Sequence, residues 1–235
     1  MLRRSLFVVA AAVFLSSHNL LAQASVTADV AVKSRYLFAG MVFWKGPMTN
    51  PKLTISNTSG NGTFTVNAGS MYMHGEYDKI MELDLWGDYY YQLNDRVGAY
   101  GGAGYYNFNE YLVEDEYASS PELYGGLVFY LPLTPSLYVA KDLDLTKGTH
   151  AALSLTHSVP LAESGASLTL VGTLDYNHEY YREDSGLSYA DLVATLAIPV
   201  GRLTVSPLAA VQAGIADDGY FGDWGLFGLS VSATF

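Results

Sequence analysis

The alternation of side chains over residues 227–235 is the feature that most constrains how this chain can fold. Apolar residues occupy every second position, and glycine, serine or threonine lies between them. Successive side chains of a β-strand point to opposite faces. The segment is therefore predicted to be a strand with one apolar face and one face of small, polar residues. The apolar positions are Phe227, Leu229, Val231, Ala233 and Phe235.

The same period of two recurs along the chain and predicts twelve strands. After residue 24, no helical period of 3.6 is sustained over ten residues, so we expect little helix. The second and seventh segments are short and weak, which leaves ten strands as an alternative. The predicted strands are 26–39, 50–58, 63–73, 81–92, 97–108, 121–131, 136–143, 150–160, 166–177, 188–198, 203–215 and 225–235.

The connections between the predicted strands alternate strictly between short and long. Transmembrane barrels have an even number of strands, short periplasmic turns and longer extracellular loops. We therefore predict an all-β fold, a closed antiparallel transmembrane β-barrel, with a soluble secreted β-sandwich as the alternative. The short turns carry Gly, Asn, Asp or Pro and are 59–62, 93–96, 132–135, 162–165 and 199–202. The longer loops are 40–49, 74–80, 109–120, 144–149, 178–187 and 216–224.

The N-terminus has the features of a secretory signal. Arg3 and Arg4 precede an apolar run over 6–15, and Ala22-Gln23-Ala24 fits a cleavage site. We expect residues 1–24 to be a cleaved signal peptide and 25–235 to form a single barrel domain in the bacterial outer membrane. The sequence contains no cysteine, so disulfides and thiolate metal sites are excluded.

The expected partners follow from charge and from the terminal strand. The formal charge is −11, and loss of Arg3 and Arg4 with the signal, which has no acids, takes it to −13. This sign disfavours nucleic acid as a partner. The last strand resembles the closing strand of outer-membrane barrels, whose terminal aromatic is part of an assembly signal. We expect the lipid bilayer and the barrel assembly machinery as partners, with the oligomeric state open. The residues of the signal would be Phe227, Leu229, Val231 and Phe235.

Four short segments look like motifs of one family. They are VKSRYLFAG at 32–40, NPKLT at 50–54, ELDLWGDY at 82–89 and PELYGGL at 121–127. In this order they resemble strand motifs of the TorF-type (Gcw_chp) family of porin-like outer-membrane proteins. Ala39 stands where that family usually has Arg, and the nearest basic residue is Arg35, which strand alternation would turn inward. The resemblance implies an outer-membrane barrel with a channel function and does not imply a substrate.

If the apolar strand faces contact lipid, the other faces line a lumen. Acids outnumber bases there, which would favour cations. The acids could instead pair with Lys33, Arg35, Lys52 and Lys141 in a filled interior. Twelve strands lie between filled small barrels and open porins, so pore and plug both remain open. The predicted lining residues are Lys33, Arg35, Glu82, Asp84, Trp86, Asp88, Glu122, Tyr124, Asp142, Asp175, Asn177, Tyr189 and Asp191.

No catalytic residue, metal or cofactor is predicted. Three carboxylates at positions 82, 84 and 88 share one strand face, and a wet surface accounts for them. The four histidines outside the signal lack metal-site spacing. His157 is an odd number of residues from Ser154 and from Ser158, so on a strand it points to the opposite face.

The resulting expectation is a channel for passive diffusion of small polar solutes, biased toward cations, and not an enzyme. A closed structural or surface-interaction barrel is the first alternative. Its motivation is three aromatic loops at 42–44, 180–182 and 220–224. A barrel-embedded lipid-modifying enzyme is the second.

Overall fold

The structure is a computed structural model, and it describes residues 24–75, 79–108, 118–161, 163–180, 185–216 and 221–235. No helix in these ranges is long and apolar enough to cross a membrane. The predicted signal peptide lies outside the described residues except for Ala24.

Fourteen strands are described, of which twelve form one closed antiparallel barrel and two form a separate hairpin. The barrel strands are β1 (Ala24–Lys33), β4 (Met48–Ser59), β5 (Gly62–Met73), β6 (Lys79–Asn94), β7 (Val97–Phe108), β8 (Ala118–Phe129), β9 (Pro135–Asp142), β10 (Thr149–Pro160), β11 (Ser167–His178), β12 (Ser185–Val200), β13 (Leu203–Gly214) and β14 (Trp224–Thr234). The hairpin strands are β2 (Tyr36–Phe38) and β3 (Met41–Trp44).

The barrel closes between its first and last strands. β1 pairs with β4 on one side and with β14 on the other, where Val30 lies opposite Val231 and Lys33 opposite Gly228. The N–H of Phe235 donates to the carbonyl oxygen of Val26 at 2.8 Å. Closure leaves no sheet edge, as the interior of a bilayer requires.

The predicted twelve-strand barrel is confirmed, and the alternative of ten strands is wrong. The weak second and seventh segments are β4 and β9, and both pair with neighbours on either side. The first strand was predicted to run over 26–39, but β1 ends at Lys33. The chain bends at 34–35, and the residues that follow form the β2–β3 hairpin.

Short turns join the strands at the end of the barrel where β1 begins and β14 ends. Two-residue turns connect β4 to β5, β6 to β7, and β12 to β13. Gly60 and Gly201 supply positive φ angles of 56° and 63° at two of them, a conformation that glycine adopts without steric cost. The longer connections, including the hairpin, lie at the opposite end.

The outer face of the barrel is apolar. Leu83, Leu123, Leu192 and Val211 are about half exposed, and each alternates with a less exposed residue on the inner face. Many Leu, Val, Ile and Tyr side chains share this outward position on the other strands. A continuous apolar exterior is what the lipid-facing surface of a transmembrane barrel requires.

Candidate functional site

The inner face of the barrel carries most of its buried polar side chains. On β6, Glu82 and Asp84 are 1% and 7% exposed. On β8 and β11, Glu122 and Asp175 are 2% and 0% exposed. These residues alternate with exposed apolar neighbours, so the walls of the interior are acidic.

The β2–β3 hairpin occupies the loop end of this interior. Tyr36 is 3% exposed, and its hydroxyl donates a hydrogen bond to Glu82. Tyr36 also packs with Met48 and Met73, which lie at the loop ends of β4 and β5. The start of the hairpin is therefore held against β4, β5 and β6.

Aromatic contacts join the hairpin to the next part of the wall. The ring of Phe38 lies 5.8 Å from that of Tyr106 and 6.3 Å from that of Phe108, centroid to centroid, and both partners are on β7. It also stacks on Tyr180, at 6.2 Å, just after β11. The Tyr180 hydroxyl donates to Glu122, which links this cluster to β8.

The tip of the hairpin reaches the opposite wall. The carbonyl oxygen of Gly40 accepts hydrogen bonds from Gln212 Nε2 on β13, at 2.8 Å, and from Trp224 Nε1 on β14, at 3.4 Å. Met41 packs with Tyr189 of β12 and with Phe221. Because it touches both walls, the hairpin crosses and narrows the interior.

The local sequence explains how the hairpin turns. Phe38 pairs with Met41, and the two residues between them, Ala39 and Gly40, have φ angles of 45° and 79°. Two consecutive positive φ angles are the pattern of a type I′ hairpin turn. A side chain at Gly40 would enter the ring of Tyr189, so glycine is required both by the backbone and by the packing.

A β-bulge positions part of the site on β12. Leu174 pairs with Ala190 and Tyr176 with Leu187, so Ser188 and Tyr189 together face Asp175. Ser188 and Tyr189 are both buried. The extra residue at a bulge redirects the strand, and here it turns two consecutive side chains inward, which simple alternation does not predict.

Most of the predicted lining residues lie on the inner face, but they have different neighbours. Tyr124 donates to Asp88 at 3.4 Å across the sheet. His150 Nε2 forms a hydrogen bond with Asp175 Oδ2, and the Asn177 side chain forms two hydrogen bonds with the backbone of Tyr180. Lys33, Trp86, Tyr189 and Asp191 also lie on inward positions of their strands.

Two predicted lining residues have surroundings that alternation does not anticipate. Asp142 is fully buried and accepts hydrogen bonds from the backbone N–H groups of residues 144, 145 and 146, which shape its own loop. Arg35 lies in the bend after β1, so strand alternation does not define its direction. Its Nε is buried without a hydrogen-bond partner among the described residues.

The predicted aromatic surface loops fold inward where the structure describes them. Phe43 packs against Tyr36 and Phe38, and Tyr180 and Phe221 are 2% and 3% exposed. Tyr36 and Phe38 of the same hairpin are likewise inside. The prediction of aromatic surface loops is therefore wrong for these residues. Tyr180 bonds to Glu122 on the inner wall, and Phe43 and Phe221 pack against the hairpin. Tyr181, Arg182 and Tyr220 lie outside the described residues.

Sequence reasoning missed several residues that build this site. Tyr36, Phe38 and Gln212 are absent from the predicted lining residues, although Gln212 alternates with exposed Val211 on β13. The Ala39-Gly40 pair was a detectable turn signal within an apolar, aromatic stretch.

The inward lysines and most of the acidic residues, with Asp29 as an exception, occupy different parts of the inner wall. Lys33 on β1 and Lys52 on β4 lie on the inward side, where Lys52 pairs in register with Asp29. The acidic positions at 82, 84, 122, 175 and 191 belong to β6, β8, β11 and β12. Charge is therefore distributed unevenly around the interior.

No metal site is found in the described part of the chain, and the predicted candidates His157, Ser154 and Ser158 do not pair with one another. No group of three or more His, Asp or Glu side chains there could hold a metal ion. His157 is exposed on β10, whereas Ser154 and Ser158 bond to Thr173 and Thr169 on β11. Elsewhere, His178 Nδ1 on β11 and Ser185 Oγ on β12 form a hydrogen bond at 2.5 Å.

Comparison with known proteins finds similarity at the level of solved structures. The chain matches no family model and no curated protein. It is similar to the KdgM porin, with a TM-score of 0.49 and 12% identity over 90% of this chain and 99% of that one. It is also similar to the COG4313 outer membrane channel from Pseudomonas putida F1, with a TM-score of 0.48 and 13% identity over 90% and 94% of the two chains. A third similar structure is the translocator domain of the autotransporter NalP from Neisseria meningitidis, with a TM-score of 0.48 and 12% identity over 97% and 96%.

Proposed function

We propose that this protein is a bacterial outer-membrane channel for passive diffusion of small polar solutes, with a preference for cations. The observation that carries the proposal is a closed barrel with an apolar exterior and an acidic inner wall. An acidic wall attracts cations through a field that the low-dielectric barrel focuses. The same arrangement agrees with the channel function implied by the TorF-type resemblance.

The β2–β3 hairpin is the constriction in this proposal. It contacts the wall at β6 and β7 on one side and at β12, β13 and β14 on the other. A segment held at both ends limits the size of solute that can pass. Its contacts include single hydrogen bonds and aromatic edges, which local fluctuation can open on the microsecond to millisecond scale.

A closed structural barrel is the second candidate. The hairpin supports it, because a hairpin that never moves would seal the loop end. The inward packing of Phe43, Tyr180 and Phe221 removes the exposed aromatic surface that had favoured partner binding. That the protein is not an enzyme stays a prediction.

The terminal strand has a separate proposed role in assembly. Phe227 and Phe235 are 71% and 77% exposed, and Leu229 and Val231 share their outward face. We propose that this row of apolar side chains is read by the barrel assembly machinery.

Conductance and solute uptake test the proposal directly. The mature protein, refolded into planar bilayers, should produce discrete current steps, and liposomes containing it should swell in small polar solutes faster than in large ones. Heat-modifiable electrophoretic mobility would show that the protein is folded. Folded protein that gives neither current steps nor swelling would support the closed barrel and overturn the channel.

A further inference from the structure

A cavity of about 250 Å³ lies between the hairpin and the wall formed by β12, β13, β14 and β1. Tyr36, Leu37 and Gly40 line its hairpin side. A volume of this size is enough for several water molecules or a small organic solute. The cavity lies inside the barrel.

The wall of the cavity is arranged in three rows of inward side chains. Each row is two residues along the strands from the next, or about 7 Å. The first row is polar, the second is apolar, and the third ends on a lysine. The rows, read from the strand registers, are Asp191, Gln212 and Trp224; then Val193, Ala210 and Leu226; then Leu208, Gly228 and Lys33.

Two hydrogen-bond acceptors in the first row lack partners. Gln212 is 5% exposed; its Nε2 donates to Gly40 and Gly222, but its Oε1 has no partner among the described residues. Asp191 interacts with Thr173 on β11, yet its Oδ1 is also buried without a partner in the described part of the chain. Buried acceptors left unsatisfied are destabilising, so this end of the cavity suits a ligand that donates hydrogen bonds.

The other two rows define the remainder of the ligand. Val193, Ala210 and Leu226 form an apolar middle that favours methylene groups. Lys33 brings a positive charge to the far end of the cavity. Its backbone lies four residues, or about 13 Å, along the strands from the first row. Its long side chain shortens the distance between the two charged ends. The cavity therefore suits a ligand that carries an ammonium group at one end, for the first row, and a carboxylate at the other end, for Lys33.

We propose that this cavity binds short zwitterions whose ammonium and carboxylate groups are separated by an apolar chain. The ammonium would donate to Asp191 and Gln212, and the carboxylate would accept from Lys33. The inference rests on the proposed channel, since it names the class of solute that its lumen retains. An α-amino acid fits less well, because both of its charges are carried on one carbon.

Calorimetric titration of the folded protein in detergent micelles tests this site without requiring conduction. The probes are 6-aminohexanoate, hexylamine, hexanoate and leucine. We expect saturable one-to-one binding of 6-aminohexanoate, and binding at least roughly tenfold weaker for the other three, because each loses or misplaces a charge-assisted hydrogen bond. Equal binding of all four probes, or heat that never saturates, would overturn the proposal.

Variants separate the site from the general charge of the lumen. Asp191→Asn should weaken 6-aminohexanoate binding at least roughly tenfold, while Asp88→Asn, which removes an inner-face charge outside the cavity, should leave it unchanged. Lys33→Met should abolish the preference for 6-aminohexanoate over hexylamine, and it remains informative if the Asp191 variant does not fold. Unchanged binding in both cavity variants would refute the site. Conductance of the same preparation reports separately on the channel.

Discussion

At the scale of single residues, Tyr36 connects the hairpin to the barrel wall. Its hydroxyl donates to Glu82, which is 1% exposed. Tyr36→Phe removes the donor and leaves the carboxyl group buried, at a cost of about 1–3 kcal/mol. We expect the amides of the hairpin to exchange with deuterium roughly 5–150-fold faster, measured by mass spectrometry.

Tyr90→Phe is the matched control for this prediction. The Tyr90 hydroxyl bonds to that of Tyr130 and does not contact the hairpin. Its loss should leave hairpin exchange unchanged. Equal acceleration in both variants would mean that exchange reports on the whole barrel and that the Tyr36–Glu82 bond does not hold the hairpin.

Gly40 provides a second test at this scale. Gly40→Ala places a methyl group at a φ of 79° and within the ring of Tyr189, whereas Gly60→Ala at a φ of 56° meets no neighbouring atom. The backbone penalty is about 1–2 kcal/mol in both, and overpacking adds about 1–3 kcal/mol at Gly40 alone. Denaturant unfolding in vesicles should rank Gly40→Ala as the more destabilised. The opposite order would place the hairpin tip away from Tyr189.

At the scale of elements, β14 shows how far alternation alone can predict facing. Leu229 is 46% exposed, and Ser230 beside it is on the inner face. Arg on the lipid side of a barrel costs about 2–4 kcal/mol near the bilayer midplane. Leu229→Arg should therefore lower the free energy of unfolding in vesicles by that amount, and Ser230→Arg by much less. Similar losses for both would contradict the assignment of the two faces.

The β2–β3 hairpin is the element that alternation could not predict. The apolar pattern of β1 continues through Tyr36 and Phe38, so the sequence suggests one long strand. The interruption depends on distant partners, namely Glu82, Tyr106 and Tyr189. Contacts between residues far apart in sequence produce no periodic pattern in the local sequence. Each barrel strand has one lipid-facing side, so it does produce such a pattern.

The bulge on β12 is a second feature of the site that alternation does not predict. Asp191 could be assigned to the interior from its alternation with Leu192, but Ser188 and Tyr189 both point inward because they share one partner position. The fold was thus predictable from strand pattern and turn chemistry. The constriction was not, since it depends on a hairpin folded back inside and on Tyr189 at the bulge, and the cavity was not, since the same hairpin forms one side of it.

At the scale of the whole molecule, the uneven charge of the lumen leads to a prediction of ion selectivity. Carboxylates occupy the inner wall from β6 to β12, and the inward lysines lie on β1 and β4. Low-dielectric walls focus this field, so a salt gradient should give reversal potentials of the sign expected for cation preference. Preference for anions would show that the lysines dominate the constriction.

Single-channel conductance would show whether the β2–β3 hairpin narrows a conducting barrel. Residues 34–47 would be replaced by a short Gly-Ser linker, with a matched replacement of 143–148, a loop at the same end of the barrel, as control. We expect small current steps for the native chain, clearly larger steps without the hairpin, and little change in the control. Equal conductance with and without the hairpin, from barrels shown to be folded, would contradict this expectation.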